Sequence, residues 1–464
     1  MHVAGAIHAD VNSAGPQWLR EPADLNDLDP ALWSCTTKRN EAGVVETGGV
    51  DVLSAIEQLG SPIYLLDEQD FRARVRAFKQ AFDGWNIYYA GKAFLTRTVA
   101  RWVAEEGIGV DTCSGGELAV VLAAGVDPAK IGLHGNNKSV EELELALSSG
   151  VGRIIFDSLD EITRIEKLCV ANDWVANVMV RVTPGVEAHT HEYIATAHED
   201  QKFGFSISNG LAMVAMVRCH YNPHFNLLGV HSHIGSQIFD TGGFEVAARR
   251  TMKLMAQFHE ASGVALPELD LGGGFGIAYT SADTPATPDR LATNLKEIVA
   301  HEARAYNLAI PTMSIEPGRA IVGPSAMAVY TVGTVKVVDL EGNAQRIYVS
   351  VDGGMSDNIR PALYAAEYSA VLASRTSGQP AVLCRVVGKH CEGGDILVRD
   401  VFLPADISPG DVIAVPGSGA YSRAMASNYN HTPRPPVVAV NDGELTTLIR
   451  RETLADLMAL DVGA

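Results

Sequence analysis

Tyr88-Tyr89-Ala90-Gly91-Lys92-Ala93 is the stretch that orders the rest of the chain, because a short run of strand character ends there on a glycine and then a lysine. One lysine at a strand end is ordinarily a solvated side chain lying along apolar surface. Recurrence of the pattern changes that reading. Short apolar runs return at Ile87 to Ala90, Gly109 to Asp111, Ile131 to His134, Ile154 to Asp157, Val178 to Val182, Leu228 to His233, Leu269 to Leu271 and Met313 to Ile315, eight in all. Helical patterns lie between most of them. Ser114-x-x-Glu117, Ser139-x-x-Glu142 and Ser158-x-x-Glu161 have the form of capping boxes just after the second, third and fourth runs. Strand, short loop and capped helix in repetition predict a (β/α)8 barrel, since parallel strands need helical crossovers and such barrels carry their reactive groups at the C-terminal strand ends. Lys92, Asp111, His134, Asp157, Arg181, His233, the Gly272-Gly273-Gly274 run and Glu316 all fall there, so one cavity is expected to gather them.

The 464 residues are too many for one modest core and predict two domains. From about Ala326 the texture becomes β-branched and alternating, as in Ala328-Val329-Tyr330-Thr331-Val332 and Arg346-Ile347-Tyr348-Val349-Ser350-Val351. The expected division is a poorly ordered arm over 1–30, a segment over 31–67 whose strand Pro62 to Leu66 joins the β domain, the barrel over 68–324, and a mainly β domain over 325–464. A net charge of −19 argues against a nucleic-acid surface, and no apolar run approaches the length of a membrane helix. The N-terminus lacks the basic flank and apolar core of a secretory signal. Six scattered cysteines (Cys35, Cys113, Cys169, Cys219, Cys384, Cys391) form no disulfide framework, and no CxxC pair suggests zinc. A cytoplasmic protein is expected.

Two glycine-rich turns follow the seventh and eighth strands, Gly272-Gly273-Gly274-Phe275-Gly276 and Glu316-Pro317-Gly318-Arg319. Glycines let the backbone approach an anion and aim successive N–H groups at it, and barrels bind phosphate in these two loops. The spacing does not fit a dinucleotide fingerprint, so a single phosphate is expected. A lysine and a phosphate site opening on one cavity are what pyridoxal 5′-phosphate requires: the amine holds the aldehyde as a Schiff base, and a carboxylate faces the pyridine nitrogen. Glu316 is placed to be that carboxylate. Its charge favours a protonated ring nitrogen and a full electron sink, which suits a decarboxylase better than a racemase. His231 and His233 share a face of the sixth strand. A metal pair lacks a third ligand at recognisable spacing, so His231 is expected in the core and His233 stacked on the cofactor ring.

The motifs Tyr89-Ala90-Gly91-Lys92, His134-Gly135-Asn136-Asn137-Lys138, His231-x-His233-Ile234-Gly235-Ser236, Gly272-Gly273-Gly274, Glu316-Pro317-Gly318-Arg319, Cys391-Glu392-Gly393-Gly394-Asp395 and Gly419-Ala420-Tyr421 resemble the diaminopimelate decarboxylase family. It is a branch of the barrel-type (fold type III) pyridoxal phosphate decarboxylases, with ornithine and arginine decarboxylases as cousins, and the resemblance covers roughly residues 60 to 455. It implies decarboxylation of meso-2,6-diaminopimelate to L-lysine in an obligate homodimer, where the β domain of one subunit completes the barrel site of the other. Cys391 matches the thiol that reprotonates the α carbon, and a thiol is mostly protonated at neutral pH. Arg319, Arg360 and Tyr364 match residues that bind the distal amino-acid end, where an arginine fork suits a carboxylate. Glu392 matches the acid that receives the distal ammonium. Tyr421 matches a tyrosine touching cofactor and substrate, and Ser236 and Gly274 match phosphate contacts beside Gly273 and Gly318. With Lys92, Asp111, His233, Glu316 and Arg319 they make the implied cofactor site, with no resident metal.

The alternatives are a decarboxylase of arginine, ornithine or carboxynorspermidine, or a non-catalytic cofactor-binding relative. Two arginines plus one acid fit a ligand carrying both charges at its far end, and Lys92, Glu316 and Cys391 together argue against a non-catalytic relative. Val387-Gly388-Lys389-His390 departs from the Gly-Pro pair of many members, and Gly393 and Gly394 stand at the usual serine positions; both bear on loop stiffness. The stretch Pro184 to Phe205, with His189, His191 and His198, is expected to be a mobile lid and not a metal cluster.

Overall fold

Eight parallel strands occur where the apolar runs predict them, at Asn86–Ala90, Gly109–Thr112, Ile131–Leu133, Arg153–Phe156, Ala176–Thr183, Phe225–His231, Glu268–Asp270 and Thr312–Ile315. They hydrogen-bond in chain order, and the ring closes where Thr312–Ile315 pairs with Asn86–Ala90. The computed structural model describes residues 15–185, 202–339 and 345–463. The expected lid histidines His189, His191 and His198 lie outside the described residues.

Helix starts follow the short polar residues after the strands, although only one of the three predicted capping boxes is complete. At Ser139 both halves form, the hydroxyl taking the Glu142 N–H and the Glu142 carboxylate taking the Ser139 N–H. Ser114 and Ser158 cap their helices, but their glutamates turn elsewhere. Glu117 accepts from the Cys113 N–H at 2.6 Å, and Glu161 binds Lys138 Nζ at 2.6 Å, both ends buried. Local spacing permits the box; a nearby donor with a stronger claim on the carboxylate diverts it.

The chain divides into two compact units, Arg72–Gly276 with Pro285–Ala320, and Met1–Phe71 with Ile277–Thr284 and Ile321–Ala464. The second unit is built on a sheet in which Ile63–Asp67 lies between Ala326–Asp339, antiparallel to it, and Val437–Asn441, parallel to it. The early strand therefore joins the late sheet. Leu32, Trp33, Val44, Val45, Ile63 and Leu65 share one apolar core with Met327, Val329, Val412, Ala414 and Val438.

Two stretches depart from the sequence reading. Part of the arm expected to be poorly ordered is tied to the β unit: Asn26 exchanges hydrogen bonds with Ser377, Leu28 packs on the core, and Arg39 donates to the Asn26 carbonyl. Residues 277–284, expected within the barrel, cluster with the β unit, where Ala278 enters its core and Tyr279 packs against Tyr368.

Candidate active site

A cavity of about 290 Å³ opens in the barrel unit, lined by Lys92, Asp111, His134, Arg181, His231, His233 and Glu316, with Ala90, Cys113, Gly135, Asn136 and Phe203 between them. Six of the expected strand-end residues meet there. Asp157 and the Gly272-Gly273-Gly274 run do not line it; the Asp157 carboxylate stands 3.7 Å from Arg181 Nη1. Lys138 braces another wall, donating from one buried ammonium to the carbonyls of Gly135 and Ile155 and to Glu161.

His231 is buried, as expected, and lines the cavity as well: its Nε2 stands 3.0 Å from Glu316 Oε1. His134 Nε2 lies 3.2 Å from Asp111 Oδ1 and 3.4 Å from the same Glu316 oxygen. These are close approaches out of line for hydrogen bonds, so Glu316 Oε1, both Asp111 oxygens and His134 Nε2 are buried without a hydrogen-bond partner. Burial pushes the Asp111 carboxyl up to about 7, against the opposing pull of Arg153. Burial, then Asp111, raises Glu316 as well. Burial lowers His231 to about 3 and takes His134 and His233 well below the ordinary histidine value, so the three rings are neutral at neutral pH.

His134, His231 and Glu316 bring one ligand atom each within 4.8 Å of one another, the sole such group among the described residues. Three neutral or anionic acceptors around one point suit a bound cation, and a protonated ring nitrogen is one. It would satisfy the Glu316 oxygen and reverse the upward shift that burial imposes.

The floor beneath this group was missed by the sequence reading. Arg153 heads the fourth strand; its Nη2 meets Asp270 Oδ2 at 2.7 Å and Asp111 Oδ1 at 3.6 Å, its Nη1 reaches Ser314 Oγ at 3.3 Å, and its guanidinium lies 3.6 Å from the Tyr88 ring centre. The available signal was a charge at the head of an otherwise apolar Arg153-Ile154-Ile155-Phe156 run. Asp270 Oδ1 in turn takes the Gly272 N–H at 2.7 Å and shapes the glycine turn.

That turn packs too closely for any side chain. A Cβ at Gly273 would stand 2.2 Å from the Glu316 carbonyl oxygen, and one at Gly274, where φ is +106°, 2.4 Å from that of Gly235. Arg319 Nη2 donates to Ser236 Oγ at 2.9 Å beside it, and the Gly273 N–H reaches His233 Nδ1 at 3.2 Å. The neutral His233 ring therefore carries its proton on Nε2. Lysine, carboxylate, imidazole, and a glycine cradle with serine and arginine are the donor set pyridoxal phosphate needs.

The remaining candidates lie in the β unit. Cys391 and Glu392 are exposed in the single chain, and Tyr421 and Tyr364 half-buried. Tyr421 has φ +58°, unusual for a ring-bearing residue and held by the Gly-rich turn before it. The departure at Lys389-His390 has a structural counterpart. His390 Nδ1 and the Cys391 N–H both point at Asn430 Oδ1, at 3.1 and 3.3 Å, while His390 Nε2 lies 2.8 Å from Ser356 Oγ. Arg360 is buried, and the short helix Arg360–Tyr364 starts on it.

The fold and this donor set define a barrel-type pyridoxal-dependent decarboxylase, and a family profile described as the pyridoxal-dependent decarboxylase, pyridoxal binding domain, matches residues 68–323. Relatives narrow the class. The chain is 50% identical over 444 residues to the diaminopimelate decarboxylase of Mycobacterium tuberculosis, covering 95% of this chain and 99% of the relative. It is 44% identical over 431 residues to that of Bacillus subtilis, covering 92% and 97%. The crystal structure of diaminopimelate decarboxylase from M. jannaschii in complex with L-lysine superposes with a TM-score of 0.86 at 29% identity, covering 93% of this chain and 99% of that one. The chain belongs to the diaminopimelate decarboxylase family, and pyridoxal phosphate is its cofactor.

Proposed function

We propose that the chain decarboxylates meso-2,6-diaminopimelate to L-lysine and carbon dioxide, the last step of lysine biosynthesis. The observation that carries the reading is the cavity that Lys92 lines together with Glu316, whose buried Oε1 has no hydrogen-bond partner. Bound pyridoxal phosphate supplies the electron sink that takes up the pair left on the α carbon as carbon dioxide departs. Lys92 would hold the cofactor's aldehyde. Glu316, with His134, His231 and Asp111 close by, would face the ring nitrogen and favour its protonated form. His233 would cover a face of the ring, and Gly273, Gly274, Ser236, Gly318 and Arg319 would hold the phosphate.

Cys391 returns a proton to the α carbon. Arg360, Arg319 and Tyr364 receive the far carboxylate, Glu392 the far ammonium, and Tyr421 closes on cofactor and substrate. A homodimer in which the β unit of one subunit serves the barrel of the other accounts for catalytic candidates on separate units. No described helix is long and apolar enough to cross a membrane. The six free cysteines suit a reducing compartment such as the cytoplasm.

Arg360 separates this reading from a polyamine-type decarboxylase: it is 5% exposed with no carboxylate in ion-pair distance among the described residues, an arrangement that asks for an anionic ligand. The test is carbon dioxide release from diaminopimelate, lysine, ornithine and arginine, with Lys92→Ala as control. Strong preference for diaminopimelate, abolished in Lys92→Ala, is expected; preference for ornithine or arginine, or an active Lys92→Ala, overturns the reading.

A further inference from the structure

Arg360 is held in a manner its sequence neighbourhood does not suggest. Its guanidinium centre lies 4.7 Å from the Tyr279 ring centre and 5.6 Å from that of Tyr368, and the two rings meet edge to face at 4.9 Å and 67°. Nη1 donates to the Tyr368 hydroxyl, whereas Nε is buried without a partner. The backbone is pinned too, because the Arg360 N–H donates to Asn358 Oδ1 at 3.2 Å. Tyr279 sits in the 277–284 segment that clusters with the β unit, and its N–H is fixed by Asp283 at 2.9 Å. At Gly417, where φ is +68°, a Cβ would stand 3.1 Å from the Tyr279 ring, so a glycine there leaves the ring its place.

The chemistry of this cage is selective. Two aromatic faces and a neutral hydroxyl stabilise a desolvated guanidinium without neutralising it, as a carboxylate would. A free arginine side chain loses rotamer freedom when an anion binds it, and an arginine already fixed does not lose it again. We propose that Tyr279 and Tyr368 are specificity-determining positioning residues, holding Arg360 rigid and unneutralised to receive the carboxylate on the non-reacting end of the ligand. This rests on the assignment of Arg360 to that carboxylate. Neither tyrosine needs to touch the substrate.

Decarboxylation removes one of the substrate's two carboxylates, so L-lysine keeps the other, whereas cadaverine has none. The holoenzyme is therefore tested by the inhibition constants of L-lysine and cadaverine in Arg360→Met, Tyr368→Phe, Tyr279→Leu and Tyr279→Phe. Arg360→Met should weaken L-lysine roughly thirtyfold or more and leave cadaverine nearly unchanged. Tyr368→Phe keeps the ring and removes the acceptor, so L-lysine should weaken about tenfold with cadaverine within about twofold. Tyr279→Leu should do the same, and Tyr279→Phe, which keeps the cation-facing ring, should restore L-lysine affinity. If Arg360→Met is selective and Tyr368→Phe leaves the lysine-to-cadaverine ratio unchanged, the cage has no positioning role and the inference fails alone. If Arg360→Met weakens both ligands equally, the assignment of Arg360 fails and the inference falls with it.

Discussion

Replacing Arg153 by Met removes the cation beneath the barrel cavity while keeping much of its apolar bulk. Its Nη2 lies 2.7 Å from Asp270, with side-chain exposures of 2% and 0%, so Asp270 has no water to turn to. Removing one partner of a buried ion pair costs about 3–5 kcal/mol. In a domain of this size each kcal/mol moves the midpoint by about 2–4 °C, which gives a loss on the order of 10 °C. The penalty should also depend on pH. Asp111, up at about 7 through burial, and Asp270, raised by burial and by Glu316, are both held down by Arg153, so both rise further without it. A carboxyl whose folded value lies above its unfolded one contributes stability below the unfolded value and loses it as pH climbs to the folded value. In the parent the Asp111 loss ends near pH 7; in the variant it continues upward. The difference between variant and parent should therefore grow from pH 6 to 8, by up to ~1.4 kcal/mol per pH unit for each additional proton held. Denaturant titrations of both proteins at pH 5, 6, 7 and 8 measure it, and Asp270→Asn, which keeps an acceptor for the Gly272 N–H, should recover part of the loss in the double variant. A penalty below about 1 kcal/mol, or one that shrinks as pH rises, would refute the argument that Arg153 holds buried carboxylates ionised.

Mixing inactive Lys92→Ala with inactive Cys391→Ala should restore roughly a quarter of parental activity after random subunit exchange, since half the dimers then carry one intact site of two; no recovery in a preparation shown to have exchanged places both residues in one subunit's site. Gly273→Ala drives a Cβ into the Glu316 carbonyl oxygen, 2.2 Å away, and should weaken pyridoxal phosphate retention at least about tenfold while the protein remains folded. Equilibrium dialysis reads this directly, and parental affinity would mean that the glycine run does not form the cradle.

Much of the site is legible in the sequence because the chemistry sits at strand ends and strand ends are local features. The eight apolar runs locate Lys92, Asp111, His134, Arg181, His233 and Glu316, and all six line one cavity. Ser139-x-x-Glu142 specifies its cap without outside help. Glu117 and Glu161 show the limit of that logic, since the same spacing is overruled when a neighbouring N–H or a buried lysine competes for the carboxylate.

What only the tertiary structure decides is which distant groups share a desolvated space. The charge heading Arg153-Ile154-Ile155-Phe156 marks the residue but not its partner, Asp270, 117 residues away. His231 differs from a core histidine only because Glu316, from another strand, stands 3.0 Å off. Tyr279 and Tyr368 carry no motif and become a cage for Arg360 because the 277–284 segment clusters with the β unit. Periodicity and capping are short-range and survive in the linear chain; burial, which shifts the carboxyls and histidines and gives a lone arginine its strength, arises only when the strands close and the sheet packs.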